Sequence, residues 1–474
     1  MGNKITIEPV SRVEGHGKVT VYLNDAGQVD KTYLHITQVR GFEKFCEGRL
    51  FNEMGIITPR ICGICPVSHH LAAAKAGDAI LGVELTPTAV MLRRLMHYSQ
   101  MLQSHALHFF YLASPDLLFG MESDPATRNI IGVIGADPEL AKKGVFLRSF
   151  GQKIIEYMGE KRVHPNAAIP GGMNKALSQA ERELIMSQID RAIADSELAV
   201  NMVKEYIKEN KALADTFAAF DSAYMGLVDA NNNVEYYDGN LRMKDKNGAV
   251  LEEKFAPKDY LNYIEEKVED WSYLKFPFYK KMGYPAGMYR VGPLGRFNAA
   301  EGHSTPLANN EFQEARKMGK NGVLRGSLYY HLARMIEMLN AAEQIKALMQ
   351  NDAICGKDIW VNGSVTNEEG VGVIEAPRGT LIHHYKVDKS GQIIHVNLIV
   401  STGHNNLAMN KAVFDVASEY IKNGKVTEGI LNRIEVGIRC YDPCFSCSTH
   451  ALGHMPLELT IHEADGSVRE ALRQ

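Results

Sequence analysis

Two Cys-x-x-Cys pairs near opposite ends of this 474-residue chain constrain its fold more than any other feature. The first pair is Cys62 and Cys65, and the second is Cys444 and Cys447. This spacing lets two sulfur atoms converge on one metal ion or form a redox dithiol. The halves of a structural zinc site usually lie about 15 to 20 residues apart, whereas nearly the whole chain separates these pairs. Only a large scaffold that joins both ends of the chain could bring the four sulfurs together.

The composition is that of an ordinary globular protein, with 45% hydrophobic residues, 23% charged residues and a formal charge of −4. We therefore expect no nucleic-acid partner, because such partners require a basic surface. We also expect no transmembrane segment, and the N-terminal residues lack the apolar core of a signal peptide. Seven cysteines, an odd number, favour metal-binding or catalytic thiols in a reducing compartment over a disulfide framework. The sequence thus predicts a cytoplasmic protein.

Long helical patterns dominate the chain. Three segments carry apolar residues at three-to-four spacing over many turns, which predicts long and largely buried helices. They cover approximately residues 86–112, 178–207 and 324–349. The second segment begins with Ser178 and Glu181 in a Ser-x-x-Glu capping box, which marks a helix N-terminus.

Shorter alternating segments predict small β-sheets. Residues 4–38 alternate apolar and polar side chains around a turn and predict an N-terminal β-hairpin. Residues 229–253 are rich in Asn, Asp and Gly and predict a surface β insertion. We expect a mainly helical α+β fold, with a core of long bundled helices and small peripheral β-sheets. Residues 1–450 would form a single domain, and residues 451–474 would be a C-terminal extension.

The cysteines alone leave three interpretations open. Soft thiolates select metals such as zinc, iron and nickel, and four of them can bind one ion or share bridging sulfurs between two. The chain could therefore hold a catalytic metal centre, a structural four-cysteine zinc site, or two unconnected pairs. The residues that flank the pairs must separate these interpretations.

The flanking residues resemble a known family. Residues 60–69, Arg-Ile-Cys-Gly-Ile-Cys-Pro-Val-Ser-His, and residues 442–450, Asp-Pro-Cys-Phe-Ser-Cys-Ser-Thr-His, look like both signatures of nickel-iron hydrogenase large subunits. Three shorter family segments occur in the expected order, at residues 12–16, 40–43 and 375–379. The resemblance spans nearly the whole chain, and it implies that family's fold and activity.

The resemblance also implies the metal ligands. In that family the first cysteine of each pair is a terminal nickel ligand, which here means Cys62 and Cys444. The second cysteine bridges nickel to an iron that carries one CO and two cyanides, which here means Cys65 and Cys447. Two non-bridging thiolates leave nickel an open coordination position, the feature that separates a catalytic metal from a structural one. H2 would bind at that position.

Glu14 matches the family's proton-transfer glutamate. The resemblance places it near Cys444, whose coordinated thiolate would accept the proton from H2 before the carboxylate carries it away. The alternative is an ordinary strand-end carboxylate paired with Arg12.

An arginine and two carboxylates are implied over the metals. Arg378 resembles the guanidinium that packs over the bimetallic site, and Pro377 would help to hold it there. Asp116 and Asp442 align with the carboxylates that orient this arginine, since a buried arginine needs such partners. The sequence around Asp116, Ser-Pro-Asp, departs from the commoner family sequence.

Three further polar residues have roles implied by the resemblance. Ser401 and Thr402 fall where the family places small residues around the cyanides, and a hydroxyl could donate to a cyanide nitrogen. An ordinary Ser-Thr pair at a strand end is the alternative. His69 resembles the histidine beside the first bridging cysteine, and a purely structural histidine is its alternative.

A second metal site is implied away from the cysteines. Glu43, the backbone carbonyl of Leu398 and His450 resemble the ligands of the family's remote magnesium or iron ion. Such an ion would tie the C-terminal motif to the core.

Electrons must leave through another polypeptide. The three cysteines outside the pairs are too few and too scattered for an iron-sulfur cluster, which usually takes about four. The family supplies an iron-sulfur small subunit, and the sequence around residues 40–49 resembles the cytoplasmic group that passes electrons to NAD(P) through flavin and iron-sulfur diaphorase subunits. A heterodisulfide reductase or deazaflavin acceptor remains open. The chain has no G-x-G-x-x-G loop, so a nicotinamide would bind elsewhere.

The C-terminal extension and two rival functions complete the expectations. In the family, maturation chaperones load the metals and an endopeptidase trims the chain after the histidine that matches His450, so residues 451–474 would be a maturation peptide. An unprocessed precursor and a lineage without trimming both fit the uncut tail.

Two other functions are alternatives to a hydrogenase. One is that of the cysteine-free homologue in respiratory complex I, and the presence of all four cysteines argues against it. The other is a zinc-stabilised assembly module.

Overall fold

The structure is a computed structural model that describes residues 4–448, 458–462 and 468–473. The helices α1 to α16 are, in order, Phe42–Cys46, Met54–Ile57, Pro66–Leu81, Pro87–Leu107, Ser114–Phe119, Ile130–Ala136, Pro138–Gly159, Gln179–Glu209, Lys211–Thr216, Pro293–Ala299, Pro306–Arg316, Tyr329–Gln350, Ser401–His404, Asn406–Tyr420, Glu428–Arg439 and Phe445–Ser448. The strands β1 to β16 are Lys4–Ile7, Gly17–Leu23, Val29–Ile36, Ala168–Ile169, Gly172–Met173, Ala223–Val228, Asn240–Lys244, Val250–Phe255, Ile264–Lys267, Phe276–Tyr279, Tyr289–Arg290, Glu369–Ala376, Gly379–Val387, Ile393–Ile399, Glu458–His462 and Val468–Arg473.

Four long helices, α4, α7, α8 and α12, pack together in the core. The sequence predicted α4, α8 and α12, whereas α7 was missed. Ser178 caps α8 with the expected capping box, since its side chain accepts from the Glu181 N–H and the Glu181 side chain accepts from the Ser178 N–H. Thr86 caps α4, which continues past Leu107 into a π-helical turn. The prediction for α12 was wrong at its start, because a turn stabilised by Tyr329 N–H bonding to the Gly326 carbonyl delays the helix to Tyr329.

Small sheets surround this core, as expected for a mainly helical α+β fold. The N-terminal hairpin is present and β1 extends it to three antiparallel strands. The predicted β insertion lies in a four-stranded sheet with the order β11-β6-β7-β8. The prediction of a surface β insertion over residues 229–253 was wrong for residues 234–237, which form no strand, and Tyr236 and Tyr237 are buried against the core.

The fold brings the two cysteine motifs to one place. α3 begins immediately after Cys65, with Pro66 at its first position, and packs on β12 and β13. The β12–β13 turn carries Arg378, and Cys444 follows α15 by a few residues. Within the described residues, the structure contains no helix that is both long and apolar enough to cross a membrane.

Candidate metal centre

The four paired cysteines converge in the interior. Their sulfur atoms all lie within 4.8 Å of one another, and each residue is buried. Cys62 Sγ lies 3.2 Å from Cys444 Sγ, and Cys65 Sγ lies 3.4 Å from Cys447 Sγ. The four sulfurs form no disulfide bonds with one another. Two distant Cys-x-x-Cys pairs therefore form a single cluster, which excludes the interpretation of two unconnected pairs.

Glu14 is held against this cluster by backbone pairing. Glu14 and Cys444 form a parallel bridge, in which the Phe445 N–H donates to the Glu14 carbonyl at 3.0 Å. The Glu14 carboxylate accepts hydrogen bonds from Cys444 Sγ at 2.9 Å and from the Ser446 N–H at 3.1 Å. Gly15 has φ +83°, and a Cβ atom there would approach Phe445 Cβ within 2.9 Å, so the close approach requires glycine. The half-buried Glu14 thus connects a buried sulfur to the outer part of the protein.

Arg378 lies in the same buried site. Its Nη2 donates to Asp442 Oδ1 at 2.9 Å, as the sequence predicted for that pair. Burial raises the pKa of Asp442 to about 6, although the Arg378 charge opposes that rise. Among the described residues, Arg378 Nε and Asp442 Oδ2 have no hydrogen-bond partner. Buried polar atoms are rarely left in this way, so these two atoms are available to a bound group.

Asp116 does not contact Arg378, contrary to the sequence-based expectation. Its carboxylate instead pairs with Arg12 and Arg439, at 2.6 Å in each case. Ser104 on α4 takes the expected place, since Arg378 Nη1 donates to Ser104 Oγ at 3.3 Å. Sequence reasoning missed Ser104, because a serine on the buried face of a long helix carries no distinguishing signal.

A small cavity adjoins the cluster. It is lined by Cys65, Ser68, His69, Ala376, Pro377, Arg378, Leu381, Val400, Ser401, Thr402, Cys444 and Cys447. Ser401 Oγ donates to the Gly379 carbonyl at 2.7 Å, and Thr402 Oγ1 accepts from the Cys444 N–H at 2.9 Å. Thr402 therefore fixes the backbone of a cysteine, and both hydroxyls border the space beside the sulfurs.

His69 lies one helical turn after Cys65 and belongs to a hydrogen-bonded chain. Its Nδ1 lies 3.0 Å from His383 Nε2, and His383 Nδ1 lies 2.6 Å from the Tyr385 hydroxyl. His383 and Tyr385 point to the same side of β13 because side chains alternate along a strand. Sequence reasoning missed both, although their i, i+2 spacing on a buried strand was visible.

Comparisons with known proteins identify the family. The model of the nickel-dependent hydrogenase family matches residues 40–127 and 228–450, and a model described as HoxL-like matches residues 4–39. This chain belongs to the nickel-dependent hydrogenase family. It is a hydrogenase catalytic subunit, an oxidoreductase that acts on hydrogen.

Relatives cover almost all of this hydrogenase chain. It is 45% identical to the NAD-reducing hydrogenase HoxS subunit beta of Cupriavidus necator, with 98% of each chain covered. It is 44% identical to one subunit of the F420-non-reducing hydrogenase vhc of Methanococcus voltae, again over 98% of each chain. A crystal structure of an NAD+-reducing NiFe-hydrogenase in the H2-reduced state matches with a TM-score of 0.92 and 47% identity, over 94% of this chain and 99% of that one.

The hydrogenase fold brings two of the three predicted remote-ion residues together. Glu43 Oε1 accepts a hydrogen bond from the Leu398 N–H at 2.8 Å. The sequence predicted the Leu398 carbonyl oxygen, and not its N–H, as the ligand of the ion. The hydrogen bond between Glu43 and Leu398 therefore shows that the two residues are close but does not show how they would bind an ion. A second small cavity is lined by Leu398 and Ser448 among others. His450, the third predicted ligand, lies outside the described residues.

The residues of the centre fit a nickel-iron group. Four buried sulfurs are the soft donors that nickel and iron accept, and four thiols can supply both terminal and bridging ligands. The adjoining cavity and the two unpartnered polar atoms of Arg378 and Asp442 leave room and polar contacts for further ligands on such a group. A four-cysteine zinc site explains the sulfurs but neither of these features.

Proposed function

We propose that this chain is the cytoplasmic catalytic subunit of a nickel-iron hydrogenase that cleaves H2 heterolytically and reversibly. Its electrons would pass to an iron-sulfur small subunit, then through flavin and iron-sulfur diaphorase subunits to NAD(P). One observation carries the proposal: four buried thiols within 4.8 Å of one another, with the Glu14 carboxylate 2.9 Å from Cys444 Sγ. A set of thiols that could hold metals and a proton acceptor therefore share one site.

The cysteines would hold the metals in two roles. Cys62 and Cys444 are the proposed terminal nickel ligands, and Cys65 and Cys447 are the proposed bridges to an iron with one CO and two cyanides. When bound, this group would act as a Lewis acid that polarises H2, and it would accept the electrons released from H2. Arg378, Ser401 and Thr402 border the cavity in which the iron's diatomic ligands would lie. The Arg378 Nε–H and the Thr402 O–H are suitable donors, whereas the Ser401 hydroxyl already donates to the Gly379 carbonyl.

Glu14 would carry the proton away from the centre. The S–H bond at Cys444 Sγ breaks as an O–H bond forms at Glu14 Oε2, over a donor-acceptor distance of 2.9 Å. That distance lies within reach for direct transfer. The Ser446 N–H steadies the carboxylate through the oxygen that faces the sulfur.

The remote ion and the tail complete the proposal. Glu43, the Leu398 carbonyl and His450 would bind magnesium or iron. Residues 451–474, of which 458–462 and 468–473 form a two-stranded sheet, would be a maturation peptide that an endopeptidase removes after maturation chaperones have delivered the metals. Intact-mass measurement of the purified protein tests this, because trimming would end the chain at His450.

The similarity to NAD-reducing relatives supports NAD(P) as the electron acceptor. A second candidate is a different acceptor, such as a heterodisulfide reductase or a deazaflavin. Several relatives of comparable identity are named F420-non-reducing hydrogenases, and these names support an electron acceptor other than NAD only weakly. H2-dependent reduction of NAD+ by the purified complex would separate the two candidates.

Infrared spectroscopy with metal analysis tests the metal centre. We expect one carbonyl and two cyanide bands, and equimolar nickel, in the purified complex. Bound zinc without these bands would instead favour a structural module.

The Glu14→Gln variant tests the proton path. Glutamine keeps the shape of the side chain but cannot accept and release the proton, so H2 oxidation should fall by about 10²- to 10⁴-fold. Nickel content and infrared bands should remain. Glu8→Gln is a matched control, because Glu8 lies on the same N-terminal segment and its side chain is exposed. Full activity of Glu14→Gln would contradict the relay.

A further inference from the structure

Asp116 is the centre of a buried ionic cluster that lies beside the metal centre. It lies in α5, and its side chain is only 3% exposed. Its Oδ1 accepts from Arg12 Nη2 at 2.6 Å and from Asn432 Nδ2 at 3.0 Å, and its Oδ2 accepts from Arg439 Nη1 at 2.6 Å. The Asp116 carboxylate on α5 thus joins two other segments of the chain, the N-terminal segment with Arg12 and α15 with Asn432 and Arg439.

The first segment leads directly to Glu14. Arg12 has φ 52°, a left-handed conformation that is unfavourable for a residue with a side chain. Its guanidinium nevertheless makes strong contacts, because Nη1 donates to the Leu112 carbonyl at 2.9 Å in addition to the pair with Asp116. Such a strained backbone conformation persists only where contacts with the surrounding structure hold it in place. The Asp116 contact therefore fixes the chain two residues before Glu14.

The second segment leads directly to Cys444. Arg439 is the last residue of α15, five residues before that cysteine, and its Nη2 donates to the Ser11 carbonyl at 3.0 Å. Glu435, one turn earlier on α15, accepts from both the N–H and the hydroxyl of Ser11 at 2.8 Å. The segment before Glu14 and the segment before Cys444 are therefore bound to each other as well as to Asp116.

The cluster keeps Asp116 ionised. Burial alone would raise the pKa of Asp116, but the charges of Arg439 and Arg12 lower it below its ordinary value. A carboxylate with three strong donors has no spare capacity to exchange protons itself. Its contribution must come through the residues that it holds.

We propose that Asp116 is a positioning residue for proton transfer, which holds Arg12 and Arg439 so that Glu14 Oε2 lies within transfer distance of Cys444 Sγ. This inference rests on the proposed role of Glu14. The transferred proton leaves sulfur and joins the carboxylate oxygen, and Asp116 takes no part in that bond change. Its effect is on distance, because proton transfer requires a short and well-aligned contact.

Two rates measured on the purified hydrogenase complex separate this role from a structural one. Exchange of D2 with solvent protons requires a proton to leave through Glu14, whereas para–ortho conversion of H2 requires only cleavage and re-formation of the bond. In Asp116→Asn, the ratio of exchange to conversion should fall by about ten- to hundredfold, the range associated with displacing a catalytic group by about 1 Å. Nickel content and para–ortho conversion should not change.

Glu122→Gln is the matched control. Glu122 pairs with Arg433 on the outer side of α15 at 2.9 Å, and its side chain is 62% exposed. It therefore removes an ion pair from the same helix without touching the Asp116 cluster. Its exchange ratio should equal that of the unmodified enzyme.

The outcomes are distinguishable from those of the proposed function. An unchanged ratio in nickel-loaded Asp116→Asn would overturn the positioning role, even if Glu14→Gln abolishes exchange. An unchanged ratio in Glu14→Gln would overturn the relay itself. If Asp116→Asn yields no nickel-loaded protein, Arg12→Gln decides by the same ratio, since it removes the same pair through a more exposed side chain. If that variant also fails to load nickel, the cluster serves folding and the positioning role is overturned.

Discussion

Two buried arginines lie close together in this protein and differ in how completely they are bonded. Arg296 on α10 pairs with Glu337 at 2.6 Å and with Glu375 at 2.7 Å, and all three side chains are buried. Arg378 pairs with the single carboxylate of Asp442 at 2.9 Å. A guanidinium has five N–H donors, and a buried one is stable only when they are satisfied. Arg296 and Arg378 therefore differ in how many of their N–H donors the protein itself satisfies.

The bonding of Arg296 is complete. Its five hydrogen bonds go to Glu337 twice, to Glu375, and to the carbonyls of Ala376 and Pro377. The last two acceptors belong to the β12–β13 turn that presents Arg378. Arg296 thus holds the turn, while Arg378 makes only two side-chain hydrogen bonds within the described part of the chain. Arg296 therefore stabilises the turn, and Arg378 keeps N–H donors available for the metal centre.

The largest expected effect comes from breaking the complete network. Glu337→Gln removes one buried charge and leaves Arg296 under-compensated, so the free energy of unfolding should fall by about 3 to 5 kcal/mol. Thermal unfolding of the purified protein measures the loss. Glu314→Gln is the control, because Glu314 pairs with Lys317 on the surface and its loss should not shift the midpoint measurably. A similar midpoint for both variants would contradict the structural role of the network.

Arg378 should show the opposite behaviour. Arg378→Lys keeps a positive charge for Asp442 but loses the planar set of donors, so activity should fall by about 10²- to 10³-fold, or about 3 kcal/mol in the barrier. Nickel content should remain, and the unfolding midpoint should change much less than in Glu337→Gln. Arg325→Lys, at an exposed ion pair with Asp221, is the control and should retain activity. Equal losses of stability in Arg378→Lys and Glu337→Gln would contradict the distinction between a structural role for Arg296 and a role at the metal centre for Arg378.

The pH dependence of stability sharpens the comparison. Burial alone would raise the pKa of Glu337, but Arg296 and His105 lower it to about 2. A carboxylate with a depressed pKa stabilises the fold above its unfolded value of about 4.5, and this stabilisation is lost as the pH falls towards 2. It amounts to something on the order of 3 kcal/mol. The difference in stability between the unmodified protein and Glu337→Gln should therefore shrink over that range, and a constant difference would contradict the assignment.

The two arginines also show what the sequence could predict. Arg378, Asp442, Glu14 and the cysteine pairs lie in contiguous motifs, and the resemblance of these motifs to the nickel-iron hydrogenase family implied a shared site. Residue types and spacing alone left the interpretation of the cysteines open. The long helices follow from apolar periodicity for a similar reason. The roles proposed for Ser401, Thr402 and His69 remain predictions, although all three lie at the cavity.

What the sequence could not predict depends on contacts between distant segments. Asp116 was assigned to Arg378 through the family resemblance, but its carboxylate pairs with Arg12 and Arg439 instead. Ser104 contacts Arg378 although 274 residues of sequence separate them. Periodicity gives the buried face of a helix but not the partner of each residue on it, which tertiary packing decides.

The smallest expected effect tests that missed contact. Ser104→Ala removes the acceptor of Arg378 Nη1, a neutral hydrogen bond of 3.3 Å, so activity should fall by only about five- to tenfold, near 1 kcal/mol. Ser99→Ala is the matched control, since Ser99 is also buried on α4 but its hydroxyl bonds to the Leu95 carbonyl of its own helix. Both variants lose one buried hydroxyl, and only Ser104 touches the incompletely bonded arginine. Steady-state H2 oxidation, normalised to nickel content, should therefore separate them, and equal activities would mean that Asp442 alone orients Arg378.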